Sequence, residues 1–142
     1  MTAVFNQFDC FLEDLLNAVH NFNSDQFYVY LTNQIPQYTN KVKADLAEIT
    51  SGFGYVAGGS KMNMSKHNVG GVVTVYGTNV QFTAQGNTVG PFQYAVLYNK
   101  SSPSGSLIGW WDYGGTLVLQ PTEAFTVVTN PSLGLFEIER TS

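Results

Sequence analysis

Charge is what this sequence has least of. Of its 142 residues, 11% are Asp, Glu, Lys or Arg, against about a quarter in average soluble proteins. Only six are basic, scattered from Lys41 to Arg140. Affinity for nucleic acid comes mostly from Lys and Arg neutralising phosphates. Six dispersed cations on a chain of formal net charge -4 make no such patch, so neither nucleic acid nor an anionic membrane is an expected partner. A single cysteine, Cys10, excludes an intrachain disulfide. With two histidines, His20 and His67, there is no HExxH and no Cys/His cluster, so no zinc site, metal or cofactor is expected. Long apolar runs are missing as well. The first twenty residues have no basic n-region and are interrupted by Asp9, Glu13 and Asp14, unlike a signal peptide or a transmembrane span.

What is abundant is apolar and aromatic: 44% hydrophobic residues, 14% aromatic, and 14 glycines. Disorder needs low hydrophobicity and high charge, so the chain should fold, as one domain over residues 1–142. Phe8, Phe11, Leu12, Leu15, Val19 and Phe22 recur at helical spacing, with Asp9, Glu13, Asp14 and Asn17 between them. That spacing predicts an amphipathic helix over residues 1–23. The period then changes. Phe27 to Thr32 is aromatic and β-branched and reads as a strand, followed by a polar loop from Gln34 to Thr50 with a helical turn near Ala44 to Ile49.

From Ser51 onward the signals are β. Expected strands are Lys61 to His67, Val72 to Tyr76, Val80 to Ala84, Phe92 to Asn99, Ser106 to Tyr113, Leu117 to Gln120, Phe125 to Val128 and Leu135 to Glu139. Short strands at regular spacing, with glycine between them, predict an antiparallel β-sandwich, jelly-roll-like, with an N-terminal α-helix. Along Phe92 to Asn99 side chains alternate in direction. Aromatic burial is the larger gain by area, so Phe92, Tyr94, Val96 and Tyr98 are expected inside, and Ala95 and Leu97 outside.

Residue types that carry chemistry are few. His20, at the end of the expected helix, suits the helix dipole. Acids beside Cys10 should raise its thiol pKa, the wrong direction for a nucleophile. Gly54-Tyr55-Val56-Ala57-Gly58-Gly59-Ser60-Lys61 has serine in the lysine slot of a P-loop, and Gly52-Phe53-Gly54-Tyr55-Val56-Ala57 has no βαβ context, so both read as glycine-rich turns. Asp112, within Trp110-Trp111-Asp112-Tyr113, is the one acid among aromatics. A glycosidase needs two carboxylates facing one cleft, and the sequence names no partner for Asp112. Adjacent tryptophans in a strand point to opposite faces, which argues against a sugar-stacking platform. A carbohydrate-binding module remains an alternative, and no catalytic residue is expected.

Five pieces occur in order: Phe27-Tyr28-Val29-Tyr30-Leu31-Thr32-Asn33; Ala44-Asp45-Leu46-Ala47-Glu48-Ile49; Gly52-Phe53-Gly54-Tyr55-Val56-Ala57-Gly58-Gly59; Gly90-Pro91-Phe92-Gln93-Tyr94-Ala95-Val96-Leu97-Tyr98-Asn99; and Leu107-Ile108-Gly109-Trp110-Trp111-Asp112-Tyr113-Gly114. As an ordered set they resemble a family of small virion structural proteins of tailed bacteriophages. Gln93 departs from the family's usual arginine, and the stretch from Met62 to Val80 is poorer in Thr and Ser. The resemblance implies a protein of the virion, assembled in the host cytoplasm. Its implied role is a capsid cement (decoration) protein that binds the major capsid protein or other virion subunits and itself, with a tail, head-fibre or connector component as the alternative. Low charge and surplus aromatics agree with a chain that buries much of its outside. The candidate contact surface is Phe5, Phe8, Phe11, Leu12, Leu15 and Val19. These residues either dock onto a partner or cover one end of their own sandwich.

Overall fold

The computed structural model describes residues 3–140. Strand accounts for 47% and helix for 7%. The elements in chain order are β1 (Phe5–Gln7), α1 (Cys10–Leu16), β2 (Phe27–Thr32), a 3-10 turn (Lys43–Asp45), β3 (Ser60–Met62), β4 (Met64–Val69), β5 (Val72–Gly77), β6 (Val80–Thr83), β7 (Val89–Asn99), β8 (Ser106–Leu119), β9 (Ala124–Val127) and β10 (Phe136–Glu139). Every strand pairing is antiparallel. A five-stranded sheet runs β1-β8-β7-β2-β3, a three-stranded sheet β10-β5-β4, and a ribbon β6-β9. The result is the expected mainly β, sandwich-like antiparallel fold with a short N-terminal helix.

The five-stranded sheet is buried on both faces. On one side Val29, Leu31, Ala95, Leu97, Ile108 and Trp111 meet Val80 and Phe82 of β6, Phe125 and Val127 of β9, and Phe11 of α1. On the other, Tyr30, Tyr94, Val96, Tyr98, Leu107 and Trp110 lie under Phe8 and Leu46. The expectation that only one set of β7 side chains faces inward is therefore corrected. Tyr94, Val96 and Tyr98 are inside as expected, but Ala95 and Leu97 are inside too, because the N-terminal segment and the loop after β2 roof the second face.

Phe92 departs from its expected partners and packs on the first face. Its partner on β8 is Leu117, whereas Tyr94 pairs with Asp112, so the register shifts between them. The surplus residues on β8 include Gly114, at φ 82°, and Gly115. Such a bulge turns the following side chains over. It also lets a single 14-residue strand replace the two expected at Ser106 to Tyr113 and Leu117 to Gln120.

The helix expected over residues 1–23 is also corrected. Among the described residues of that stretch only Cys10–Leu16 is helical, and Met1 and Thr2 lie outside the described residues. Phe5, Asn6 and Gln7 instead pair with Trp111, Trp110 and Gly109. The open edge of β8 offers hydrogen bonds and a cradle at Gly109, where any side chain would strike the Phe5 ring and the Asn6 carbonyl. Those tertiary contacts outweigh the local helical period. The helix stops at Ala18, which takes a left-handed φ of 62°.

Candidate functional site

The aromatic motif is structural. Trp111 is 2% exposed and lies 4.8 Å from the Phe5 ring. Trp110, on the opposite face, lies 4.6 Å from Phe8 and 4.9 Å from Tyr38. Tyr113 stands edge-on to Phe125. Its buried hydroxyl has no partner among the described residues, and burial pushes its pKa well up. No tryptophan is available to a sugar ring in a groove. Asp112 Oδ1 accepts from the Gly114 backbone N–H at 2.8 Å and from Gln93 Nε2 at 3.0 Å. Its work is to hold the bulge.

The candidate contact residues separate into two groups. Phe8 and Phe11 are fully buried, Phe11 among the rings of His20, Phe22 and Phe136. Phe5 and Leu15 are half-buried against the same core. These four cover their own sandwich, so Phe8 and Phe11 are corrected from partner contacts to core. Val19 is half-buried, and its carbonyl accepts from Asn99 Nδ2 at 3.3 Å. Leu12 and, one helical turn on, Leu16 face outward, 52% and 87% exposed.

Two polar networks were not anticipated. In the first, Glu48 sits at the centre. Its Oε2 accepts from the Tyr55 hydroxyl at 2.6 Å and the Gly58 N–H at 2.7 Å, and its Oε1 from Lys43 Nζ at 2.8 Å. Tyr98 donates to the Gly58 carbonyl at 2.7 Å, and Lys43 Nζ lies 4.8 Å above the Tyr30 ring. Burial and the hydrogen bond to Glu48 push the Tyr55 pKa far up. Asp45 accepts from the N–H groups of Lys41 and Val42, which lower its pKa. This network straps the loop after β2 onto the sheet. Gly59 passes so close to the Val29 backbone that no side chain fits there. The glycine-rich segment is thus a close-packed turn and not a phosphate loop.

In the second network Asn99, fully buried, donates from Nδ2 to Asp25 at 2.8 Å and lies 3.1 Å from His20 Nδ1. Its Oδ1 accepts from the Ser101 N–H at 2.9 Å, which fixes the amide orientation. His20 Nε2 is buried without a partner among the described residues. A lone Glu in an apolar piece and an Asn ending an apolar strand are the sequence signals that mark these networks.

Comparison with protein-family models, curated proteins and solved structures finds no match to this chain.

The remaining reactive types stand apart from one another. The Cys10 thiol points at the carbonyls of Asn40, Lys41 and Leu107, and burial, with Asp14 nearby, pushes its pKa up to about 11. His67 lies on the exposed strand β4, edge-on to Tyr76 at 5.4 Å. Among the described residues no group of three His, Cys, Asp or Glu side chains is placed to hold a metal, and no helix is long and apolar enough to cross a membrane. What the arrangement offers chemically is surface: outward apolar side chains on α1 and, on the far side of the molecule's smallest sheets, a groove.

Proposed function

We propose that this chain is a structural protein of a tailed-bacteriophage virion, a capsid cement protein that binds the major capsid protein and stabilises the head without catalysing a reaction. The observation that carries the reading is apolar surface left over after the core is closed. Leu12 and Leu16 stay outside on α1 while Phe11 and Leu15 already fill its inner side. Val4, 79% exposed, lies just ahead of β1. Contiguous exposed apolar patches beyond a few hundred Å² are uncommon on monomers and usually mark interfaces.

The sequence pieces that resemble phage virion proteins support the same reading. Their polar members, Asp45, Glu48, Tyr55, Tyr98 and Asn99, make internal hydrogen bonds. Gln93, where the family's usual arginine is replaced, still reaches Asp112. These residues keep a rigid shape, as a protein that works by being bound requires. An apolar contact of this kind resists salt, because screening weakens only charged contacts.

The test is the double variant Leu12→Glu with Leu16→Glu. Both side chains are outside, so melting should be unchanged within the roughly 0.5 kcal/mol typical of surface positions. Occupancy on particles should fall at least tenfold. Normal occupancy of the double variant would remove α1 from the interface and with it the support for this reading.

A further inference from the structure

The outer face of the three-stranded sheet carries a groove of about 810 Å³ whose lining includes Ser65, His67, Tyr76, Thr78, Asn79 and Thr129. Register explains how these residues meet. Ser65 pairs with Tyr76 across β4 and β5, and His67 follows on the same face of β4. The segment after β9 walls the other side, brought there by Thr129. Its N–H donates to Asn79 Oδ1 at 2.9 Å, and its hydroxyl to the Gly77 carbonyl at 2.5 Å.

That bonding leaves a definite pattern. Asn79 spends its oxygen on Thr129, so its orientation is set and its Nδ2 amide remains free to donate. Ser65 Oγ and both ring nitrogens of His67 have no hydrogen-bond partner among the described residues. Tyr76 and His67 stand at 85° to one another, 5.4 Å apart. No Lys, Arg, Asp or Glu lines the groove.

We propose that this groove is a binding site for a neutral saccharide. A phosphate or carboxylate is held most strongly by Lys or Arg, and the groove has neither, leaving only the His67 imidazole to meet an anion. A wholly apolar ligand would strip water from Ser65, His67 and Asn79 and return no hydrogen bond, at a cost of about 1–3 kcal/mol for each group. A sugar ring matches both halves of the lining. Its hydroxyls exchange hydrogen bonds with Ser65, His67 and Asn79, and its weakly positive C–H edges meet the electron-rich aromatic surface. The volume falls in the range of small-molecule sites, about 300–1,000 Å³, and the groove is open along one side, as a chain of sugars requires. The site lies on β4 and β5, away from α1, and does not depend on the virion reading.

The experiment is a titration of the full chain, followed by amide NMR, with maltotriose, mannotriose, chitotriose and galactobiose, and with inorganic phosphate as an anionic control. At least one neutral saccharide should shift the amides of Ser65, His67, Tyr76 and Asn79 at millimolar concentration, with phosphate silent there. Ser65→Ala and His67→Ala, both at exposed positions that leave the fold alone, should each weaken binding several-fold. Tyr76→Ala should weaken it at least tenfold, with the fold checked by circular dichroism. If none of the four saccharides shifts those amides, or if binding survives both Ser65→Ala and His67→Ala undiminished, the proposal is wrong.

Discussion

Asn99→Leu is expected to destabilise the protein by about 3 kcal/mol, since loss of one partner from a buried polar cluster costs roughly 1–3 kcal/mol for each group left unsatisfied. The substitution preserves volume but strands the Val19 carbonyl and His20 Nδ1 and removes one donor from Asp25. For a domain of this size that is a fall in Tm of about 10 °C. The same cluster makes stability depend on pH. Asn99 Nδ2 shares two hydrogens among three acceptors, Asp25, the Val19 carbonyl and His20 Nδ1, and a bond to the last requires a neutral imidazole. An imidazolium would set an N–H against the Asn99 NH2. Burial lowers the His20 pKa, outweighing Asp14 and Asp25, which act to raise it.

The sign follows directly. A histidine whose folded pKa is depressed binds protons more readily in the unfolded chain. Its contribution is therefore fully present above the unfolded value of about 6.5 and is lost as pH falls below it toward the folded pKa. Chemical denaturation from pH 7.5 downward should show the wild type losing stability below about 6.5, and His20→Gln losing less over that window. Equal slopes in the two proteins would show that His20 is not the group responsible.

Trp111→Ala should cost about 3–5 kcal/mol, the range for aromatic truncation in a closed core. Trp111 is the side chain on which β1 rests as well as part of the main core, so its loss should also loosen Phe5 and raise amide exchange along Phe5–Gln7. If the tryptophans instead formed an outward platform for a ligand, truncation would change stability by less than about 0.5 kcal/mol. Equilibrium unfolding of Trp111→Ala and Trp110→Ala, each against wild type, separates the two cases. Because the residues lie on opposite faces of one sheet, the double variant also measures how strongly the faces couple.

Much of this architecture is legible in the residues, and the misses have definite causes. β2 lies over Phe27–Thr32, where the aromatic and β-branched run ends at Asn33. β5, β6 and β9 lie within a few residues of their expected positions, because alternation and glycine turns are local signals, whereas the one strand expected over Lys61 to His67 is two, β3 and β4, in different sheets. The opposite orientation of Trp110 and Trp111 follows from strand geometry alone. The N-terminal helix misled because Phe5, Phe8 and Phe11 are also spaced for contacts that only the folded sheet supplies: an open edge at β8 and an unroofed face holding Trp110. The polar loop after β2 gave no sign of burial in its composition. Its anchoring depends on Glu48 reaching Tyr55 and Gly58, partners ten residues away or less but meaningful only once β2 and β7 are paired. The Phe92 register failed at the bulge around Gly114, since period-two reasoning assumes an unbroken ladder. The groove beside Tyr76 joins β4, β5 and the segment after β9, and no linear motif announces it.

The chain is proposed to be a component of a virion head. Under that proposal, quantitative mass spectrometry of purified tailed-phage particles, with peptides of this chain measured against those of the major capsid protein, is the most direct test. A cement protein should be present in amounts comparable to the coat subunit, and should remain so after high-salt washing. A ratio of a few copies per particle would move the chain to the tail, a head fibre or the connector, and its absence from washed particles would contradict the virion reading altogether.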